Sequence, residues 1–215
     1  MASKSTAFHP DEVLIVTRVG GIVLCGGRSS RMGRAKAWLP FGDELLLPRV
    51  VRILSEVVSP IVVVAAPGQE VPPLPAGIAV ARDPVEGHGP LQGLAAGLAA
   101  LRSQVDAVYL SSCDVPFLQP AFVRRMIELL GEHNVCVPFV EGFHHPLAAV
   151  YRAEVVASID SLLEANRLRP VFLFDLVPTR IVTAAELSEV DPSFQSLRNL
   201  NSPAEYEAAL RDLGK

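Results

Sequence analysis

The chain has 215 residues, half of them apolar and 20% charged, with a formal net charge of −4; this suits one ordinary domain with a substantial core and excludes wholesale disorder. The mildly acidic balance argues against an extended footprint for nucleic acid or an anionic membrane, so any phosphate site must be local and focused. Cys25, Cys113 and Cys136 are scattered, without the paired short spacing of a zinc cluster or a disulfide framework.

In chain order, residues 1–18 read as a loose tail, with Val13 to Val16 either an added edge strand or apolar padding, and 19–215 as one domain. The opening MASKSTAFHPDEVL lacks the layout of a signal peptide, and no apolar run is long enough to cross a bilayer. A cytoplasmic protein with no membrane or nucleic-acid partner is expected. Short β-branched runs predict strands at Gly21 to Cys25, Ile61 to Ala65, Ile78 to Ala81, Ala107 to Ser111 and Val135 to Pro138. Between them, Pro48 to Val57 and Leu91 to Arg102 carry apolar residues at helical spacing, and Gln119 to Leu130 opens with a proline suited to a first turn. Pro67 to Pro75 is a surface connection, since proline offers no ladder donor. Strand followed by helix, repeated, predicts an α/β fold: a single Rossmann-like domain whose mostly parallel sheet carries helices on both faces.

GIVLCGGRSSRMGRAK begins as a buried strand, becomes glycine-rich, and gathers Arg28, Arg31, Arg34 and Lys36. Gly26 and Gly27 permit backbone angles that let successive amides point into one concavity and bind phosphate oxygens. Arg31 and Lys36 add full charge, which stabilises the negative charge developing on a departing pyrophosphate. The lysine is not followed by Ser or Thr at the Walker spacing and GGRSSRMG does not satisfy GxGxxG, which disfavours a P-loop ATPase or a dinucleotide-binding dehydrogenase. In AVYLSSCDVPF an apolar strand ends at Asp114, placing a carboxylate where ligands bind outside the carboxyl ends of parallel strands. Such a carboxylate, with triphosphate oxygens, suits Mg2+. Downstream, Asp83 precedes GHGPLQGLAAGL, where Gly87, Gly89 and Gly93 allow close approach to a flat ring; Gly93 and Gly97 read better as helix-packing contacts.

The ordered series LCGGRSSRMGRAK, RDPVEGHGPLQGLAAGL, YLSSCDVPF, HHPLAAVYR and RNLNSP resembles the molybdenum cofactor guanylyltransferases, a MobA-like branch of the glycine-rich nucleotidyltransferases, from about Val19 to Leu210. The resemblance implies transfer of GMP from Mg-GTP to molybdenum-molybdopterin, with release of pyrophosphate. It implies nucleotide binding by Leu24, Cys25, Gly26, Gly27, Lys36, Asp83, Gly89, Pro90, Leu91 and Asp114, with Arg31, Lys36 and Asp114 catalytic and Asp114 the metal ligand. On the acceptor side it implies His145, Arg169, Asn199 and Asn201, and transient contact with molybdoenzymes or their chaperones. Cys25 stands where the family usually has alanine, a spacer rather than a nucleophile. Ala35 replaces the usual aspartate before Lys36, and Ala65 and Ala66 stand where some relatives have asparagine, which leaves the base choice open. A molybdopterin cytidylyltransferase, a sugar-phosphate nucleotidyltransferase and a non-catalytic nucleotide-binding chaperone remain alternatives.

Overall fold

The computed structural model describes residues 18–26, 35–85 and 87–213. The expected Val13 to Val16 element, and Gly27, Arg28, Arg31 and Arg34 of the glycine-rich segment, lie outside the described residues.

The elements in chain order are β1 (Val19–Leu24), a 3-10 turn (Lys36–Trp38), a short hairpin of β2 (Pro40–Phe41) and β3 (Glu44–Leu45), α1 (Leu46–Ser55), β4 (Ile61–Ala65), β5 (Ala79–Arg82), α2 (Gly89–Ala100), β6 (Ala107–Ser112) and α3 (Pro120–Glu128). Then come β7 (Val135–Val140), β8 (Phe143–His144), β9 (Ala149–Arg152), α4 (Val156–Glu164), α5 (Val171–Phe174), β10 (Thr179–Thr183), α6 (Ala184–Leu187) and α7 (Pro203–Leu213). The main sheet runs β10-β7-β9-β6-β1-β4-β5, with β8 paired to β7. β1 lies parallel to both β4 and β6, and β5 continues parallel to β4. β9 is antiparallel to β6 and β7, while β10 runs parallel to β7.

The mostly parallel sheet and its two helical layers match the expected fold class. β9 and β10 lie outside the strands that the sequence predicts. β9 hides in the apolar LAAVYR run, and β10, TRIVT, has only Val182 buried, so its pattern is that of a half-exposed edge.

Two cores follow from the period-2 alternation of the strands. Val23, Val63, Tyr109 and Val150 face α1 and α3, packing with Leu47, Val51, Leu54, Phe122 and Met126. Their neighbours Ile22, Val62, Val64, Val108 and Leu110 face the other way, toward Leu94 and Leu98 of α2 and Ile159 and Leu162 of α4. The strand IVVVA of β4 is buried throughout, which accounts for its unbroken apolar run. A third, smaller core joins Leu39, Phe41 and Leu46 to Leu200 and Ala209, with Phe117, Tyr206 and Leu213 against it.

Candidate functional site

Chain order sends β4 and β5 to one side of β1 and β6 to the other, so the order in which strands are added reverses between the parallel neighbours β1 and β6. The crevice outside the carboxyl ends of the strands at such a switch point is where open α/β sheets bind ligands. A cleft of about 470 Å³ opens there, a size suited to a nucleotide-sized ligand.

Its floor and walls come from separate segments: Leu24, Cys25 and Gly26 after β1, Lys36 from the 3-10 turn, Val64 to Ala66 after β4, and Asp83 after β5. Gly87, Gly89, Pro90 and Gly93 contribute from the start of α2, Ser112 to Asp114 from the end of β6, and Leu147, Asn199 and Asn201 from later in the chain.

The polar centre is compact. Lys36 Nζ donates to Asp114 Oδ2 at 2.6 Å and to Asn201 Oδ1 at 3.0 Å. Ser112 Oγ donates to the other carboxylate oxygen, Asp114 Oδ1, at 2.5 Å. The lysine and aspartate side chains are only 18% and 11% exposed, so this pair interacts more strongly than one on the surface. Among the described residues, no group of three or more His, Cys, Asp or Glu is placed to hold a metal. The donor set here is one carboxylate beside a hydroxyl, which fits a hard cation drawing most of its oxygens from a substrate and from water.

The third core holds these residues in register. Leu39 and Phe41 follow the turn that carries Lys36, Phe117 follows Asp114, and Leu200 stands between the two asparagines. Phe41 and Phe117 meet edge to face at 5.5 Å, and Leu200 N donates to Asp114 O at 3.0 Å. The guanidiniums of Arg49 and Arg198 lie over those two rings, at 5.2 and 5.1 Å. Arg49 Nε also donates to Pro116 O at 2.8 Å, tying α1 to the loop after Asp114.

At the opposite end, Gln69 bridges the strand ends. Its Nε2 donates to Cys25 O at 2.9 Å, and its Oε1 accepts Ala66 N at 3.1 Å, extending the β1–β4 ladder where the two strands part. Sequence reasoning missed Gln69, Ser112 and Leu147. Ser112 was the most legible of these, two positions before Asp114 at the close of the same apolar strand.

Other expected site residues are placed differently. Asp83 lines the cleft, yet one carboxylate oxygen accepts Val85 N at 3.1 Å in a local turn. Gly89 has φ +74°, in the left-handed region that favours glycine, and an added Cβ would stand 3.6 Å from Leu168 O. Leu91 belongs to the second core, fully buried, because the first turn of α2 directs its side chain inward. His145 and Arg169 are not among the lining residues. The His145 ring sits 3.4 Å from Val140 O and burial lowers its pKa, which favours the neutral ring, while Arg169 follows the Leu168 carbonyl at the Gly89 rim. Its neighbour His144 instead packs against the rings of Phe139 and Phe174, at 4.9 and 5.5 Å. Cys25 lines the cleft but is buried, and that burial pushes its thiol up to about 11, which does not suit a nucleophile at neutral pH.

The MobA-like NTP transferase domain model matches residues 21–178. A probable molybdenum cofactor guanylyltransferase of Mycobacterium tuberculosis is 34% identical over 200 residues, covering 90% of this chain and 94% of the relative. The crystal structure of molybdopterin-guanine dinucleotide biosynthesis protein A from Archaeoglobus fulgidus superposes with a TM-score of 0.74 at 18% identity, over 91% of this chain and 98% of its own. A Mycobacterium tuberculosis protein crystallised in complex with manganese gives a TM-score of 0.64, again at 18% identity, over 91% and 99%.

Proposed function

The chain belongs to the MobA-like NTP transferase family and is a nucleotidyltransferase, and from that premise we propose that it transfers GMP from magnesium-bound GTP to molybdenum-molybdopterin, releasing pyrophosphate. The observation that carries this reading is the hydrogen-bonded trio of Lys36, Asp114 and Asn201 at the mouth of the cleft, formed from three distant parts of the chain. A nucleotide-binding module without chemistry has no need of a carboxylate held against a lysine at 89% burial of its own side chain, since that arrangement is unfavourable toward a triphosphate unless a cation mediates.

In this reading the acceptor is a phosphate monoester, already largely ionised at neutral pH, so the chain need not supply a strong base. An acceptor oxygen forms a bond to the α-phosphorus of GTP while the bond from that phosphorus to the β-phosphate bridging oxygen breaks, and the electron pair leaves with pyrophosphate. The obstacle is the approach of two anions, and the residues present answer it. Lys36 has three N–H donors, two of them engaged by Asp114 and Asn201, so a third can be offered to a phosphate oxygen. The amino end of α2 at Gly89 and Pro90 lines the cleft and turns its partial positive charge toward it. Magnesium, bound at Asp114, would supply charge neutralisation on the triphosphate. Asn199 and Asn201 then offer amides to the acceptor, and Arg31 serves the triphosphate; Arg169 and His145 are assigned to the acceptor rim.

The test is transfer from each α-labelled nucleoside triphosphate to molybdenum-molybdopterin with magnesium, comparing the parent with Asp114→Ala. Labelling from GTP alone, lost in the variant, is expected. Labelling from CTP alone would keep the mechanism and overturn the guanylyl assignment, and no labelling from any nucleotide would overturn the proposal.

A further inference from the structure

Asp191 lies outside the cleft and is fully buried, yet its carboxylate has neutral partners only in the bonds that hold it. Oδ1 accepts Gln195 N at 2.9 Å and Gln119 Nε2 at 3.1 Å, while Oδ2 accepts Ser196 N at 2.7 Å. Gln195 and Ser196 open the 3-10 turn Gln195–Leu197, which ends two residues before Asn199. Gln119 caps the start of α3, on the loop that leaves Asp114. The contact is returned, because Gln119 N donates to Ser196 Oγ at 3.0 Å. The chain between them takes a left-handed turn at Phe194, with φ 50°, a conformation a bulky residue adopts only when its surroundings impose it.

Among the described residues no cation pairs with this buried carboxylate, an arrangement costly to keep, and the bonds it makes there serve one purpose. It clasps the segment leading to Asn199 and Asn201 onto the loop leading from Asp114. Beyond the clasp the two segments meet again, where Leu200 N reaches Asp114 O at 3.0 Å and Asn201 Oδ1 receives Lys36. The distance from the asparagine pair to the Asp114 carboxylate is therefore set by two fixed points, and Asp191 is the one remote from the cleft.

We propose that Asp191 is a positioning residue for the acceptor, acting through the Gln195–Leu197 turn to hold Asn199 and Asn201 against Asp114 and Lys36. The inference rests on the guanylyl transfer argued above. Small displacements of positioning groups carry large penalties in rate, whereas the nucleotide end of the cleft, built on β1, β4 and α2, does not depend on this clasp.

The experiment uses the full chain as parent, Asp191→Asn, Asp191→Ala and Gln119→Ala. Thermal melting, equilibrium binding of Mg-GTP, and steady-state transfer with molybdenum-molybdopterin varied are measured on each. Gln119→Ala removes the side-chain bond that ties Asp191 to the loop leaving Asp114 and keeps the aspartate itself, so it decides the matter if the Asp191 variants fail to fold. Folded variants are expected to bind GTP within about twofold of the parent while the acceptor KM rises about tenfold or more, with Asp191→Asn less affected than Asp191→Ala because it keeps one acceptor oxygen. An unchanged acceptor KM, or a loss of GTP affinity equal to the loss for the acceptor, would overturn the positioning role while the parent's activity left the guanylyl reading intact. A parent that binds GTP but transfers nothing overturns both.

Discussion

Replacing Lys36 with methionine keeps most of the length of the side chain and removes its charge. Two losses follow, of different size. In the folded protein, Asp114 Oδ2 loses its donor at 2.6 Å while Oδ1 keeps Ser112, and the aspartate side chain is 11% exposed, so water from the cleft can partly replace the ammonium. A hydrogen bond to a charged group contributes about 1.5–3 kcal/mol, and partial rehydration puts this one at the low end, about 1.5–2 kcal/mol. In a domain of this size each kcal/mol moves the melting temperature by roughly 2–4 °C, so a fall of about 3–8 °C is expected. Transfer should suffer more, because a preorganised donor facing the departing charge is worth about 10²–10³ in kcat. Lys36→Arg should recover part of the melting loss but little of the rate, since a planar fork cannot reproduce both the 2.6 Å contact to Asp114 and the 3.0 Å contact to Asn201. The assay is single-turnover label transfer from α-labelled GTP at a temperature well below melting, with a thermal melt on the same preparation. A Lys36→Met protein that transfers within about threefold of the parent would refute the assignment.

The cysteines predict alkaline instability. Burial raises Cys25 to about 11 and Cys136 to about 12 from 9.0, and Cys113 rises well above it too, so below pH 9 both folded and unfolded chains hold these protons and nothing is lost. Above the unfolded value the unfolded chain ionises first, and each thiol costs about 1.4 kcal/mol of stability per pH unit until its folded value is reached. Urea midpoints measured from pH 8 to about 10.5 should fall with pH, less steeply in Cys25→Ala than in the parent, and parallel slopes would contradict this. Gly97→Ala should destabilise by about 1–3 kcal/mol before a helix-propensity gain of about 1 kcal/mol, because the new methyl would stand 2.6 Å from Ile22 Cδ1. Gly93→Ala meets Leu24 Cδ2 at 2.9 Å, and since Leu24 lines the cleft, its effect should appear in GTP affinity more than in melting. Tyr109→Phe should melt no lower than the parent and up to about 1–3 kcal/mol more stably, because its hydroxyl is the buried side-chain polar atom that lacks a partner among the described residues.

The sheet was legible where burial is uniform or alternates cleanly. Ile61 to Ala65 is read at its observed limits because every residue of β4 is buried, and β1 and β6 are off by two residues or fewer. β10 escaped because an edge strand with exposed Ile181 and Thr183 has neither a long apolar run nor a clear alternation. At the site, Lys36 and Asp114 could be singled out because Lys36 ends the glycine-rich, basic run that follows β1 and Asp114 stands just past the apolar strand β6. Gln69 and Asp191 could not. Each joins a nearby backbone amide to a group distant in sequence, Gln69 linking Ala66 N to Cys25 O and Asp191 linking Gln195 N and Ser196 N to the Gln119 side chain, and no local pattern marks a residue whose far partner is set by tertiary structure.

Why a chemistry that we propose for one lysine and one carboxylate should need a separate small core follows from where those two residues stand. Lys36 lies on a three-residue turn and Asp114 on an irregular loop, and neither element has a ladder or a long helix to fix it. Backbone hydrogen bonds alone leave such segments among the least stable parts of a protein. The hairpin of β2 and β3, the Phe117 loop and α7 bury Leu39, Phe41, Leu200 and Ala209 against one another, and all but Ala209 stand within a few residues of a site group. α7 is itself held at its start by Ser202, whose Oγ accepts Glu205 N at 3.2 Å while the Glu205 carboxylate accepts the backbone of Asn201 and Ser202. The helix that closes the chain thus anchors Asn201 at one end and the third core along its buried side. The proposed catalytic geometry at the carboxyl edge of this sheet is held by the packing of these three short segments beside it, and the large cores above and below the sheet determine where that edge lies.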